Sequence, residues 1–113
     1  LTALEMRSRA RRMVRRSGVE LLIIDYLQLM HYPGKAESRQ LEIGAVSGAV
    51  KAMAKELRVP VIVLSQLSRA PELRDRLAVP KLSDLRGSGS TEQDADLVLF
   101  PWPRESPQPP QPQ

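Results

Sequence analysis

Two segments of this chain are apolar without alternation, and a longer one between them is apolar with helical spacing. "LLII" (21–24) runs straight into Asp25, and "VPVIVL" (59–64) runs into Ser65 and Gln66. Continuous apolar runs of this length predict strands, over residues 20–25 and 61–65, of the kind that are buried on both faces of a parallel sheet. From Ser38 to Leu57 the period changes. Ile43, Val46, Val50, Met53 and Leu57 recur at three- and four-residue steps and make one face of a helix. Gly44 and Gly48 weaken that helix by roughly 1 kcal/mol each relative to alanine. Strand, long helix, strand predicts a right-handed β-α-β unit with parallel strands.

Ahead of this unit, "LTALEMRSRARRMVRRSG" carries its own start and stop signals. Thr2 and Glu5 fit a capping box, and Gly18 falls where a left-handed C-terminal cap belongs. Met6, Ala10, Met13 and Val14 form a narrow apolar stripe between arginines, as on a surface helix that rests on something. Between the first strand and the long helix lies "HYPGKAES", a polar loop broken by Pro33 and Gly34, and a charged stretch from 69 to 95 follows the unit. "DLVLF" (96–100) then predicts a third strand. The class is α/β. The domain division is 1–100 for the folded core and 101–113 for the tail "PWPRESPQPPQPQ", which holds six of the ten prolines. Such a tail reads as disordered or polyproline-like, or as a ligand for a proline-recognition module.

Composition narrows the chemistry. With no cysteine among 113 residues, disulfides, zinc-thiolate sites and thiol catalysis are excluded. No apolar run is long enough to span a bilayer, so no membrane role is expected and a reducing cytoplasm suits the chain. The net charge of +4 is lopsided, because Arg7, Arg9, Arg11, Arg12, Arg15 and Arg16 crowd one helix. That row is either a solvated face or one turned toward phosphates.

In parallel open sheets, ligands bind outside the carboxyl ends of the strands. Asp25 ends one predicted strand, and Ser65 and Gln66 end the next, so neighbouring strands about 4.8 Å apart would put them on one edge. A carboxylate there suits a hydrated Mg²⁺ shared with phosphate oxygens, or else caps the following turn. Gln66 can donate or accept, which suits contact with a phosphate or a water. In "LSDLRGSGSTEQDAD", Gly87 and Gly89 let backbone N–H groups approach an anion, and Arg86 adds a cation beside them. Ser90 and Gln93 fit a capping box for a short helix after that loop; a plain solvent loop has the same composition. "PGKAES" lacks the glycine spacing of a P-loop, and His31, the single histidine, stands in a loop without a partner at ligand spacing.

Taken in order, "LLIIDYLQLM", "VKAMAKELRVPVIVLSQLSR" and "KLSDLRGSGSTEQDADLVLF" resemble successive motifs of the bacterial replicative DNA helicase of the DnaB type, over residues 2–100. The resemblance implies a partial RecA-like parallel sheet flanked by helices, from a C-terminal ATPase domain that works as a homo-hexamer. It implies ATP and Mg²⁺ as cofactors, single-stranded DNA as substrate, and primase and a helicase loader as partners in DNA replication at the nucleoid. By position, Asp25 matches the Walker B aspartate and Gln66 the glutamine of the sensor strand. Arg86, Gly87 and Gly89 fall on the central-channel loop that grips DNA.

The resemblance also implies a fragment. The family's P-loop and catalytic glutamate lie upstream of the matching residues, and its arginine finger lies after the position of residue 100. Leu4, Glu5 and Met6 imitate the motif that carries the catalytic glutamate, but Glu5 reads as a capping residue. Gly48 stands where the family often has arginine, and Gly87 where it often has glutamate. Without the P-loop strand, residues 96–100 pair elsewhere or leave an exposed edge. The function implied is ATP-driven translocation on single-stranded DNA with duplex unwinding. The alternatives are a non-catalytic RecA-fold remnant that binds DNA or a helicase subunit, and part of a RecA-family recombination or repair ATPase.

Overall fold

A computed structural model describes residues 1–31, 39–66, 81–82 and 91–101. Helix α1 (Ala3–Ser17) begins and ends where its cap residues predict. The Thr2 backbone N–H donates to Glu5 Oε2 at 2.8 Å, and the Glu5 N–H donates to Thr2 Oγ1 at 3.2 Å, so the capping box is closed. Gly18 adopts φ 61°, where a Cβ would clash with the following carbonyl, and its N–H returns to Val14 O.

Strand β1 (Leu22–Ile24) and strand β2 (Val61–Val63) pair in parallel, with Leu22 opposite Val61 and Ile24 opposite Val63. Helix α2 (Arg39–Leu57) connects them, and a 3-10 turn (Leu27–Leu29) follows β1. Both strands are shorter than the apolar runs that predict them, because beyond Ile24 and Val63 the chain bends into the turn and the polar residues. A short helix, α3 (Thr91–Asp94), completes the described elements. It starts one residue after Ser90, which itself lies outside the described residues.

The core lies between α1, α2, the 3-10 turn and one face of the sheet. Met6 and Ala10 from α1, Ile43, Val46, Val50 and Met53 from α2, and Leu27 and Met30 are buried together. Leu22, Ile24, Leu57, Val61 and Val63 are partly buried against them. The helical face predicted from spacing is the face that packs. Of the predicted stripe on α1, Met6 and Ala10 are buried and Val14 is half-buried, while Met13 points outward. Two ion pairs tie α1 to α2: Arg7 and Arg11 both reach Glu56.

Two expectations are corrected. Among the described residues the strands are covered on one face, since Leu21, Ile23, Ile62 and Leu64 are exposed, Ile23 by 62%. Alternation resolves what looked continuous: Leu22, Ile24, Val61 and Val63 face the helices, and the residues between them face outward. The predicted third strand at 96–100 forms no ladder. Leu97 and Leu99 remain 75% and 76% exposed, and this stretch is held at its start by Lys51 Nζ donating to Asp96 at 2.6 Å. An apolar run becomes a strand only where a partner edge is within reach, and Asp96 is tied to α2, not to the sheet.

Candidate functional site

Parallel pairing brings the carboxyl ends of β1 and β2 to the same edge, which places Asp25 beside Leu64, Ser65 and Gln66. The Leu64 N–H donates to Ile24 O at 2.9 Å, and the Leu27 N–H donates to Leu64 O at 2.8 Å. The carboxylate of Asp25 is therefore carried between two backbone contacts to the neighbouring strand. The Asp25–Tyr26 peptide is cis. Asp25 is exposed and makes no ion pair among the described residues. No three His, Cys, Asp or Glu side chains converge as a metal cage among the described residues. A single carboxylate at the ends of parallel strands fits a cation whose other ligands are water and phosphate oxygens.

Gln28 also belongs to this edge, and sequence reasoning misses it. Its Nε2 donates to Ser65 Oγ at 3.0 Å, and its Oε1 accepts the Gln66 N–H at 3.1 Å. The signal for it is a polar residue held inside "YLQLM", three positions after the acid. Arg39, the first residue of α2, is the second omission. Its guanidinium donates to Met30 O at 3.2 Å and to Glu42 at 2.6 Å, and also reaches Gln28 O. His31 turns out to be no isolated loop residue. It forms a bridge with Thr2 and sets Nδ1 3.1 Å from Glu42 Oε1.

Glu5 caps α1 and is used up there. The backbone N–H of Thr2, followed by its hydroxyl, holds the Glu5 carboxyl below the usual carboxylate range. A shallow hollow of about 430 Å³ runs along the outer side of α1, lined by Leu4, Glu5, Ser8, Arg9 and Arg12. It is separate from the strand ends. Arg86, Gly87 and Gly89 lie outside the described residues.

Residues 1–111 match the family described as the DnaB-like helicase C terminal domain. The chain belongs to that family. Among DnaB-like relatives, the replicative DNA helicase DnaB of Pasteurella multocida is 57% identical over 101 residues, covering 88% of this chain and 21% of that protein. The DnaB of Leifsonia xyli is 56% identical, over 88% of this chain and 22% of its own length. The chain thus spans about a fifth of the curated relatives it matches.

Among solved structures, an ATPase domain superposes with a TM-score of 0.76 at 44% identity, covering 84% of this chain and 34% of that one. A DnaB-like replicative helicase, solved for its interactions with primase, superposes at 0.74 with 47% identity, over 84% of this chain and 23% of that one. The DnaB-like fold of this chain is that of RecA-like helicase ATPase domains. No helix among the described residues is long and apolar enough to cross a membrane.

Proposed function

We propose that these residues supply the Walker B strand and the sensor strand of a replicative DNA helicase motor, one that couples ATP hydrolysis to 5′-to-3′ movement on single-stranded DNA. The observation that carries the reading is the shared edge: Asp25 after β1 and Gln66 after β2, on neighbouring parallel strands in register. Asp25 would hold Mg²⁺ through water, and Gln66 would meet the γ-phosphate side of the nucleotide. Mg²⁺, when bound with ATP, neutralises charge on the transferring phosphoryl group. Positioning and electrostatics are nearly all that phosphoryl transfer asks of a protein, and one acid and one amide would supply part of both.

The remaining assignments follow the same reading. Arg86, Gly87 and Gly89 would line a central channel and hold the DNA backbone, with no base readout required. The working assembly would be a homo-hexamer at the nucleoid, engaged by primase and a helicase loader.

A chimera tests the proposal. Residues 1–101 of this chain replace the matching segment of the Pasteurella multocida helicase, to which the chain is 57% identical over 101 residues. The chimera should hydrolyse ATP in the presence of single-stranded DNA. Asp25→Asn in that background should lower turnover roughly 10- to 100-fold, the usual effect of losing a group that acts on a metal through its water. Parent-like turnover of the Asp25→Asn chimera sinks the assignment. A chimera that binds DNA without hydrolysing ATP favours the non-catalytic alternative.

A further inference from the structure

The geometry points to Gln28 as the positioning residue that sets Gln66 at the nucleotide edge, with Arg39 holding the turn that carries Gln28. The inference rests on the proposed roles of Asp25 and Gln66 and extends them to side chains that touch neither metal nor phosphate.

The β1–β2 ladder ends at Ile24 and Val63, with two further backbone bonds at Leu64, to Ile24 and from Leu27. Beyond Leu64 the Gln28 side chain continues the ladder's work. It meets consecutive residues of the sensor segment with opposite chemistry, donating to Ser65 Oγ and accepting from the Gln66 N–H. An amide does both at once; a carboxylate offers no donor, and an apolar side chain offers neither. Fixing the backbone N–H of Gln66 fixes the point from which its side chain extends, and a reporter of phosphate needs that origin held.

The turn that carries Gln28 is itself held at both ends. Its neighbour Leu27 is 1% exposed and Met30 is 3% exposed, so the 3-10 turn is pinned to the core on either side. The turn is closed by the Met30 N–H on Leu27 O at 3.1 Å. Arg39 then reaches back from α2 to the carbonyls of Gln28 and Met30, and Glu42 steadies the same guanidinium. Its fork-shaped donors let one side chain hold two carbonyls and a carboxylate, which a lysine cannot reproduce. The start of α2 and the end of β2 are thereby joined through one turn.

The test uses the same chimera, with Gln28→Met as an apolar replacement of similar length. Steady-state ATP hydrolysis with single-stranded DNA should show kcat lowered roughly tenfold and KM for ATP changed by less than about twofold, the pattern of a misplaced group that acts in the transition state. Because Gln28 acts through Gln66, Gln28→Met should add little in a Gln66→Ala background. A residue that merely stabilised the fold would instead lower the melting temperature and add its effect in either background.

Parent-like kcat for Gln28→Met, or full additivity with Gln66→Ala, overturns the inference. Should Gln28→Met fail to assemble, Gln28→Asn decides. It keeps the amide on a side chain one methylene shorter, which draws it back from Ser65 Oγ and the Gln66 N–H, and a parent-like kcat there also overturns the inference. Loss of the underlying reading looks different: Asp25→Asn would then leave hydrolysis unchanged, whatever Gln28→Met does.

Discussion

The two faces of the β1–β2 sheet are made of the same residue types and live in different surroundings. Leu22, Ile24, Val61 and Val63 pack toward α1 and α2, while Leu21, Ile23, Ile62 and Leu64 stand exposed on the other side. Composition cannot tell these faces apart, since both are branched aliphatics. The difference lies in what the helices cover. The sequence is written for a sheet with two apolar sides, and the described residues supply a cover for one.

The sharpest way to break this comparison is a matched pair of truncations. Ile43→Ala removes a fully buried side chain of α2 and should cost about 3 kcal/mol in urea unfolding. Ile23→Ala, on the bare face, should cost less than about 0.5 kcal/mol. Equal losses would mean that the outer face is covered in solution.

Self-association is the next effect in size. Among the described residues the exposed apolar face and the outer edges of β1 and β2 have no partner strand, which invites a second copy. Light scattering should therefore give a mass above the 12.6 kDa of one chain, and Ile23→Lys together with Ile62→Lys should return it to the monomer value. A monodisperse monomer for the unaltered chain would show that the face is tolerated as it stands.

A smaller gain tests the covered side. Nothing lies within 4 Å of a Cβ built on Gly48, so Gly48→Ala should stabilise the chain by about 1 kcal/mol through helix propensity alone. A loss would show that α2 needs close approach at that position.

The smallest effect concerns pH. Glu56 is held below the usual carboxylate range by its hydrogen bond from Arg11 and then by that from Arg7, and Asp96 by its hydrogen bond from Lys51. A lowered folded pKa gives stability that is complete above the ordinary carboxylate range and is lost as pH falls through the folded value. Glu56→Gln should flatten that acid limb in a series of thermal melts. These groups are exposed, so the change should be slight beside the truncation at Ile43.

Much of this is legible in the sequence because it depends on neighbours in the chain or on one crossover. The cap of α1 needs only Thr2, Glu5 and Gly18. The face of α2 needs only a period. The shared edge of Asp25, Ser65 and Gln66 follows once two strands flank a helix. What escapes depends on partners far along the chain. Gln28 meets Ser65 and Gln66 across the sheet edge, Glu56 meets two arginines of α1, and Asp96 meets Lys51. The misread third strand has the same cause. "DLVLF" has the composition of a strand, but pairing is decided by which edge lies beside it.

The capping of α1 has an electrical consequence. The first turn of α1 is bonded to His31, where Ala3 donates to its carbonyl at 2.9 Å, and the first residue of α2 reaches Gln28 and Met30. Both helices thus begin beside residues 28–31, the segment that follows β1. Each helix brings the positive pole of its dipole to that segment, equivalent to roughly half an elementary charge. Glu5 and Glu42 take up part of that field, each within a first turn. What remains favours negative charge beside residues 28–31, and its source is the helix backbone rather than a lysine or arginine side chain.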